Sequence, residues 1–128
     1  MDHQTKNCIR ILVIDDEPLV AKAVCRALPE HRVVTAFGGQ QALEELKFDS
    51  TFDLILCDLA MPKMDGPAFY NQVKQTSPGL EKNIVFMTGG VFVSHTRQFL
   101  DSIPNQTIQK PFNVEDLHQL IKQWTKEK

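Results

Sequence analysis

Four short apolar segments of this 128-residue chain each end on polar side chains that could carry out metal-assisted phosphoryl chemistry. In chain order these are an acid pair, a single acid, a hydroxyl and an amine: Asp15-Asp16, Asp58, Thr88 and Lys110. Three carboxylates held together repel one another, and a hard divalent cation such as Mg²⁺, which takes oxygen ligands, would offset that repulsion. The set of residue types therefore predicts a phosphoryl-transfer site, provided that the fold brings the four segments together.

The single acid, Asp58, is the predicted reacting group. It follows the apolar run 52–57, and the turn-forming residues Pro62 and Gly66 come soon after it. Asp58 would attack phosphorus to form an acyl phosphate, while Mg²⁺, Thr88 and Lys110 would bind the phosphoryl oxygens as charge spreads onto them.

The elements that must position these groups alternate along the chain. Apolar runs predict strands over 8–14, 31–37, 52–57, 83–87 and 107–109. Helical spacing of apolar residues follows each strand, with a capping box at Asn113 and Asp116 before the last helix. Five strand–helix units predict an α/β fold, a parallel sheet covered on both faces. The loops after its strands share one edge, so the four polar groups should converge there.

Composition narrows the classes of function. The length suits one domain, and the net charge of −2 lacks the basic character of a nucleic-acid binder. The longest apolar runs are too short to span a bilayer, and the polar start of the chain lacks a signal-peptide core. We therefore predict a cytosolic protein with no direct nucleic-acid or membrane partner.

Cysteine and histidine show no chemical pattern. Three cysteines without a C-x-x-C pair are read as packed apolar thiols, and the four histidines, which lack metal-ligand spacing, as surface or capping residues.

Each candidate group taken singly also has a purely structural explanation. An acid pair before Pro18 suits a helix N-terminus, and Asp58, Thr88-Gly89 and Lys110-Pro111 could be turn or loop residues. Their occurrence at four successive strand ends favours the functional interpretation.

The chain resembles the receiver domains of two-component response regulators. The matching segments are 11–18, 58–66, 87–89 and 110–112, and the resemblance extends over about residues 9–125. It implies a flavodoxin-like three-layer sandwich with five helices and a five-stranded parallel sheet of order 2-1-3-4-5. The expected organisation is an N-terminal extension at 1–8, a receiver domain at 9–125 and a C-terminal tail at 126–128.

The resemblance also implies roles for the site residues. Asp58 would accept a phosphoryl group from a histidine kinase or a histidine phosphotransfer protein, contacted by Thr88 and Lys110. Asp16, Asp58 and the backbone carbonyl of Ala60 would bind Mg²⁺ directly, and Asp15 would act through a water. Such a domain is a regulatory switch, not an enzyme with turnover, although it catalyses its own phosphorylation and dephosphorylation.

Output and partners are also expectations from the resemblance. Phosphorylation would alter the face built from the fourth helix, fifth strand and fifth helix, and Phe92 and Val93 are the better candidates for contact with an output partner or an attached kinase domain. Parts of the chain after residue 86 are similar to receivers fused to hybrid sensor histidine kinases.

Thr107 stands where receivers usually carry an aromatic switch residue. We therefore expect the signal to leave through the loop 88–93 and the fourth helix. Ala60 has no polar side chain that could orient a water, so dephosphorylation should depend on solvent access.

Two other classes of protein share parts of this pattern. A Mg²⁺-dependent phosphohydrolase of the haloacid-dehalogenase type would also form an aspartyl phosphate, but it places its nucleophile after the first strand, in an Asp-x-Asp pattern. A nucleotide- or flavin-binding module would need a glycine-rich phosphate loop there, whereas this chain has Asp15-Asp16. Turnover of a phosphomonoester would distinguish the phosphohydrolase from a receiver.

Overall fold

A computed structural model describes residues 8–89 and 94–126, and within these ranges strands and helices alternate. The strands are β1 (Arg10–Ile14), β2 (Arg32–Ala36), β3 (Leu54–Asp58), β4 (Ile84–Gly89) and β5 (Thr107–Lys110). The helices are α1 (Pro18–Ala27), α2 (Gly39–Phe48), α3 (Gly66–Thr76), α4 (Ser94–Asp101) and α5 (Val114–Lys126). The predicted alternation is confirmed, with bounds shifted by one or two residues at most strand ends. A short 3₁₀-helix, Leu80–Asn83, was not predicted.

All five strands are parallel, in the order β2-β1-β3-β4-β5. This confirms the flavodoxin-like fold class. The central strands β1 and β3 are apolar along most of their length because both of their faces are covered by helices.

Two apolar clusters lie on opposite faces of the sheet. Successive strand residues alternate between them, so Leu12 and Ile14 belong to one cluster and Ile11 and Val13 to the other. The first cluster packs under α2, α3 and α4, and the second under α1 and α5. The three-layer arrangement follows from the period-two pattern of the strands.

The capping box at the start of α5 is confirmed. The Asp116 backbone N–H donates to Asn113 Oδ1 at 2.8 Å, and the Asn113 N–H donates to Asp116 Oδ2 at 3.1 Å. Two donors that the first helical turn leaves unpaired are thereby satisfied.

The interpretation of the histidines as surface or capping residues is wrong for His31. Its ring is half-buried, and its Nδ1 accepts a hydrogen bond from the backbone N–H of Ile9 at 3.1 Å. His118 is exposed and shares a 2.9 Å hydrogen bond with the carbonyl of Ala27.

The three cysteines are free thiols, and Cys57 is buried as predicted, whereas Cys8 and Cys25 are only half-buried.

Candidate functional site

Asp58 and Asp15 stand side by side at the carboxyl edge of the sheet. Asp58 is the last residue of β3 and is 7% exposed, and Asp15 follows β1 and is fully buried. The N–H of Asp15 donates to the carbonyl of Ala36 at 3.1 Å, which continues the β1–β2 ladder by one residue. Asp15 Oδ1 accepts from the N–H of Glu17 at 2.9 Å, and this bond fixes the carboxylate at the start of α1.

Asp16 completes an acidic cluster. One carboxylate oxygen from each of Asp15, Asp16 and Asp58 lies within 4.8 Å of the others, and Asp16 is exposed whereas its two partners are buried. An all-oxygen set with one side open to solvent fits Mg²⁺, which keeps several waters and uses few carboxylates. The predicted convergence of these three residues is therefore observed, and their chemistry matches the predicted cation.

Lys110 brings a positive charge into the same cluster. As the last residue of β5, it places Nζ 2.9 Å from Asp15 Oδ2 and 3.4 Å from Asp58 Oδ2. Residues that are 95 positions apart in sequence thus form a direct hydrogen bond. The lysine partly neutralises the two buried acids.

The pKa values of these groups follow from the cluster's geometry. Burial, and then the charge of Asp15, raise the pKa of Asp58, although the Lys110 amine and the backbone N–H of Ala60 act in the opposite direction. Burial lowers the pKa of Lys110, but its hydrogen bonds and ion pairs with Asp15 and Asp58 outweigh this effect, and its pKa is raised. One lysine therefore leaves the negative charge of the cluster incompletely compensated.

Thr88 and Ala60 complete the set of predicted site residues. Thr88 is 8% exposed near the end of β4, beside Gly89, which lies opposite Lys110 in the β4–β5 register. The position of Thr88 in the sheet brings it to the same edge as Asp58. Ala60 is exposed, and its backbone N–H lowers the pKa of Asp58. Gly89 has open space around it, since an added Cβ would meet no atom within 4 Å.

The loop between β3 and α3 has features that sequence analysis missed. The N–H of Gly66 donates to the carbonyl of Leu59 at 2.8 Å, and an added Cβ on Gly66 would lie only 3.0 Å from the Leu59 Cα. Asp65 caps α3 by accepting from the Ala68 N–H at 3.0 Å. Lys63 has a φ of 72°. The Asp-Gly-Pro sequence before the helix was the available signal for the cap.

The burial of Cys57, followed by the negative charges of Asp58 and Asp15, raises the pKa of its thiol well above the usual value. The thiol next to Asp58 is therefore protonated at neutral pH.

A parallel sheet of this order, with an acid trio and a lysine at its carboxyl edge, defines the class of receiver-type signalling domains. Residues 11–122 match the family described as the response regulator receiver domain, and the chain belongs to that family.

Similar proteins include transcription regulators and a kinase. The transcriptional regulatory protein DltR of Streptococcus agalactiae serotype III is 32% identical over 85% of this chain and 48% of its own length. The sensor kinase CckA of Brucella abortus is 27% identical over 88% of this chain and 12% of its own length. The chain thus spans about half or less of these relatives.

A solved structure of similar length has the same fold. The chemotaxis protein CheY4 of Vibrio cholerae superposes with a TM-score of 0.77 and 25% identity, covering 91% of this chain and 98% of that protein.

Among residues 8–89 and 94–126, no helix has the length and apolar character needed to cross a membrane.

Proposed function

We propose that this receiver domain is the phosphoacceptor of a two-component phosphorelay, with Asp58 as the residue that is phosphorylated. The observation that carries the proposal is the position of the Asp58 carboxylate: it lies 3.4 Å from Lys110 Nζ and within 4.8 Å of ligand oxygens of Asp15 and Asp16. The phosphodonor would be a histidine kinase or a histidine phosphotransfer protein.

Asp58 would act as the nucleophile. Its carboxylate oxygen attacks the phosphorus of a phosphohistidine, the P–N bond breaks, and the donor imidazole leaves with the electron pair and takes up a proton. Lys110 and the Thr88 hydroxyl would hold the phosphoryl oxygens. The Lys110 amine is 3.4 Å from Asp58 Oδ2, so a small movement would bring it to a phosphoryl group on Asp58.

Asp16, Asp58 and the carbonyl of Ala60 would hold Mg²⁺, with Asp15 acting through a water. When bound, Mg²⁺ supplies positive charge that stabilises the transferring phosphoryl group. The raised pKa of Asp58 supports this assignment, since it indicates that the cluster favours additional positive charge.

The proposed output is a change in the face formed by α4, β5 and α5, within a receiver domain spanning residues 9–125. Phe92 and Val93, predicted as contact residues, lie outside the described residues. An output partner or an attached kinase domain would read this face, and relatives whose names denote a transcriptional regulator and a sensor kinase are compatible with either arrangement. Because Ala60 is exposed and has only a methyl group, loss of the phosphoryl group should depend on the access of water. A cytosolic location remains a prediction.

The test is incubation with acetyl phosphate and Mg²⁺, followed by intact-mass measurement and peptide mapping. We expect one phosphoryl group on the wild-type protein and on Asp101→Asn, whose substitution removes an exposed acid away from the cluster. We expect none on Asp58→Asn. An undiminished phosphoryl content in Asp58→Asn would refute the assignment, and sustained turnover of a phosphomonoester would favour the phosphohydrolase alternative.

A further inference from the structure

We propose that Met64 is a positioning residue for the phosphorylation site, because its side chain rests on Gly39 at the start of α2 and thereby fixes the loop 59–66. The expected effect of this loop on Mg²⁺ binding rests on the proposed function. The contact between Met64 and Gly39 does not depend on a metal and can be tested separately.

The loop leaves the site next to Asp58 and is hydrogen-bonded at its base. Leu59 donates its N–H to the carbonyl of Met87 at 3.1 Å and accepts from the N–H of Gly66 at 2.8 Å. The first bond ties the start of the loop to β4, and the second joins the two ends of the loop. Ala60, the predicted carbonyl ligand of Mg²⁺, follows Leu59 and lies just inside this base.

The tip of the loop has an unfavourable backbone conformation. The N–H of Met64 donates to the carbonyl of Pro62 at 2.7 Å, and Lys63 between them has a φ of 72°. This is a γ-turn with positive φ, a conformation that a residue with a side chain rarely adopts. Such a conformation persists only where surrounding contacts hold it.

Met64 supplies such a contact. An added Cβ on the buried Gly39 would lie 2.7 Å from Met64 Sδ and 2.9 Å from Met64 Cγ. Met64 therefore occupies the space that any other residue at position 39 would fill. It also packs against the apolar cluster beneath α2 and α3. The side chain thus joins the loop that follows Asp58 to the first turn of α2.

A groove beside Met64 could accept its side chain if that side chain were displaced from Gly39. Met64 lines this groove of about 470 Å³ between α2 and α3, together with Leu43, Leu46 and Gln72. A methyl group on Gly39 would push Met64 Sδ and Cγ toward this groove, and because it would also lie only 3.1 Å from Met64 Cβ, which is fixed to the backbone, the loop itself would have to shift. The expected result is a folded protein whose loop has moved, and with it the carbonyl of Ala60.

The neighbouring glycine gives a matched control. Gly38 has an extended φ of −176°, and an added Cβ there would meet nothing within 4 Å. Gly38→Ala and Gly39→Ala make the same chemical change one residue apart, and only the second meets Met64.

The first measurement uses the metal-free protein. We expect Gly39→Ala, and not Gly38→Ala, to shift the amide NMR signals of Ala60, Lys63 and Met64. The second is the Kd for Mg²⁺ from titration with Mg²⁺ alone. We expect a loss of about tenfold in Gly39→Ala, in the range found when residues behind metal ligands are changed, and an unchanged Kd in Gly38→Ala.

Variants of Met64 separate positioning from stability. Met64→Ala should weaken Mg²⁺ binding as Gly39→Ala does, and Met64→Leu should retain most of the binding. Adding Gly39→Ala to Met64→Ala should cause little further loss, because the two closest contacts, with Sδ and Cγ, are gone. The proposal is overturned if the loop amides and the Kd of Gly39→Ala match those of Gly38→Ala, or if Met64→Ala binds Mg²⁺ like the wild type. Failure of the wild type to bind Mg²⁺ would instead refute the proposed function, and the metal-free shifts would still decide the role of Met64.

Discussion

At Asp58, burial and the neighbouring charges act in opposite directions. The carboxylate is 7% exposed and close to the acid Asp15, and both features favour its neutral form. Lys110 favours the charged form of Asp58, but its Nζ lies closer to Asp15 Oδ2, at 2.9 Å, than to Asp58 Oδ2, at 3.4 Å. The pKa of Asp58 is therefore raised above 3.8, and the charge of its carboxylate at neutral pH is unfavourable in the folded state.

We expect Asp58→Asn to have a larger free energy of unfolding than the wild type near neutral pH in the absence of metal. Between pH 3.8 and the raised pKa the folded state binds more protons than the unfolded state, so the wild type loses stability as the pH rises through this range. The gain in Asp58→Asn should therefore shrink as the pH falls toward 3.8.

Urea unfolding in the presence of a chelator measures this difference, and adding Mg²⁺ should stabilise the wild type more than the variant. Asp101→Asn serves as the control for removal of an exposed acid. Equal or lower stability of Asp58→Asn at neutral pH would contradict the explanation of the raised pKa.

At the scale of elements, the turn between α1 and β2 closes onto the start of β1. The backbone N–H of Ile9 donates to His31 Nδ1 at 3.1 Å, and its carbonyl accepts from the N–H of Arg32 at 3.0 Å. Ile9 is buried, so both of its polar groups need these partners. The first and second strands are thus fastened together at the edge of the sheet opposite the acidic cluster.

We expect the wild type to lose stability as the pH falls below 6.5, because His31 must remain neutral to accept the Ile9 hydrogen bond. Burial lowers the pKa of His31 and nearby His118 lowers it further, while Glu30 raises it. Below 6.5 the unfolded state therefore binds more protons than the folded state, and acidification favours unfolding.

Urea unfolding at several pH values checks this effect. His31→Gln, which keeps an uncharged acceptor, should flatten the pH dependence just below 6.5, whereas His118→Gln should keep most of it. An unchanged pH dependence in His31→Gln would show that the decline comes from other groups.

At the scale of the whole molecule, an aromatic cluster connects the carboxyl edge of the sheet to α4. Phe86 on β4, Tyr70 on α3 and Phe99 on α4 are in contact, and Phe99 meets the other two rings edge-on at centroid distances of 5.6 Å and 5.4 Å. Phe86 is two residues before Thr88 on the same strand. Thr107, where an aromatic switch is usual in receivers, is exposed on the edge strand β5. These contacts favour a route through Phe99.

We therefore expect Thr107→Ala to preserve the response of α4 to a phosphoryl analogue bound with Mg²⁺. Phe99→Ala should reduce this response because α4 loses its ring contacts with β4, and Phe99→Leu should retain part of it. Amide NMR shifts of Leu100 and Ile103 provide the measurement. Loss of the response in Thr107→Ala with full retention in Phe99→Ala would contradict the proposed route.

Much of the fold was predictable from the sequence because local patterns determine it. Apolar runs ending on polar residues located the strands, the spacing of apolar residues located the helices, and the Asn113–Asp116 pair located the start of α5. The rule that loops after parallel strands share one edge predicted that Asp15, Asp16, Asp58 and Lys110 would converge, as their distances confirm. The strand order was taken from the family resemblance and is also confirmed.

Only the tertiary structure decided the contacts between residues that are distant in sequence. Three such contacts depend on the packing of separate elements. Lys110 pairs with both Asp15 and Asp58, Ile9 donates to His31, and Met64 packs against Gly39. The types and order of the reacting groups are properties of the sequence, because side-chain chemistry and strand periodicity are local. Their distances and pKa values are properties of the fold, because burial and Coulomb interactions depend on neighbours that the chain supplies only after it has folded.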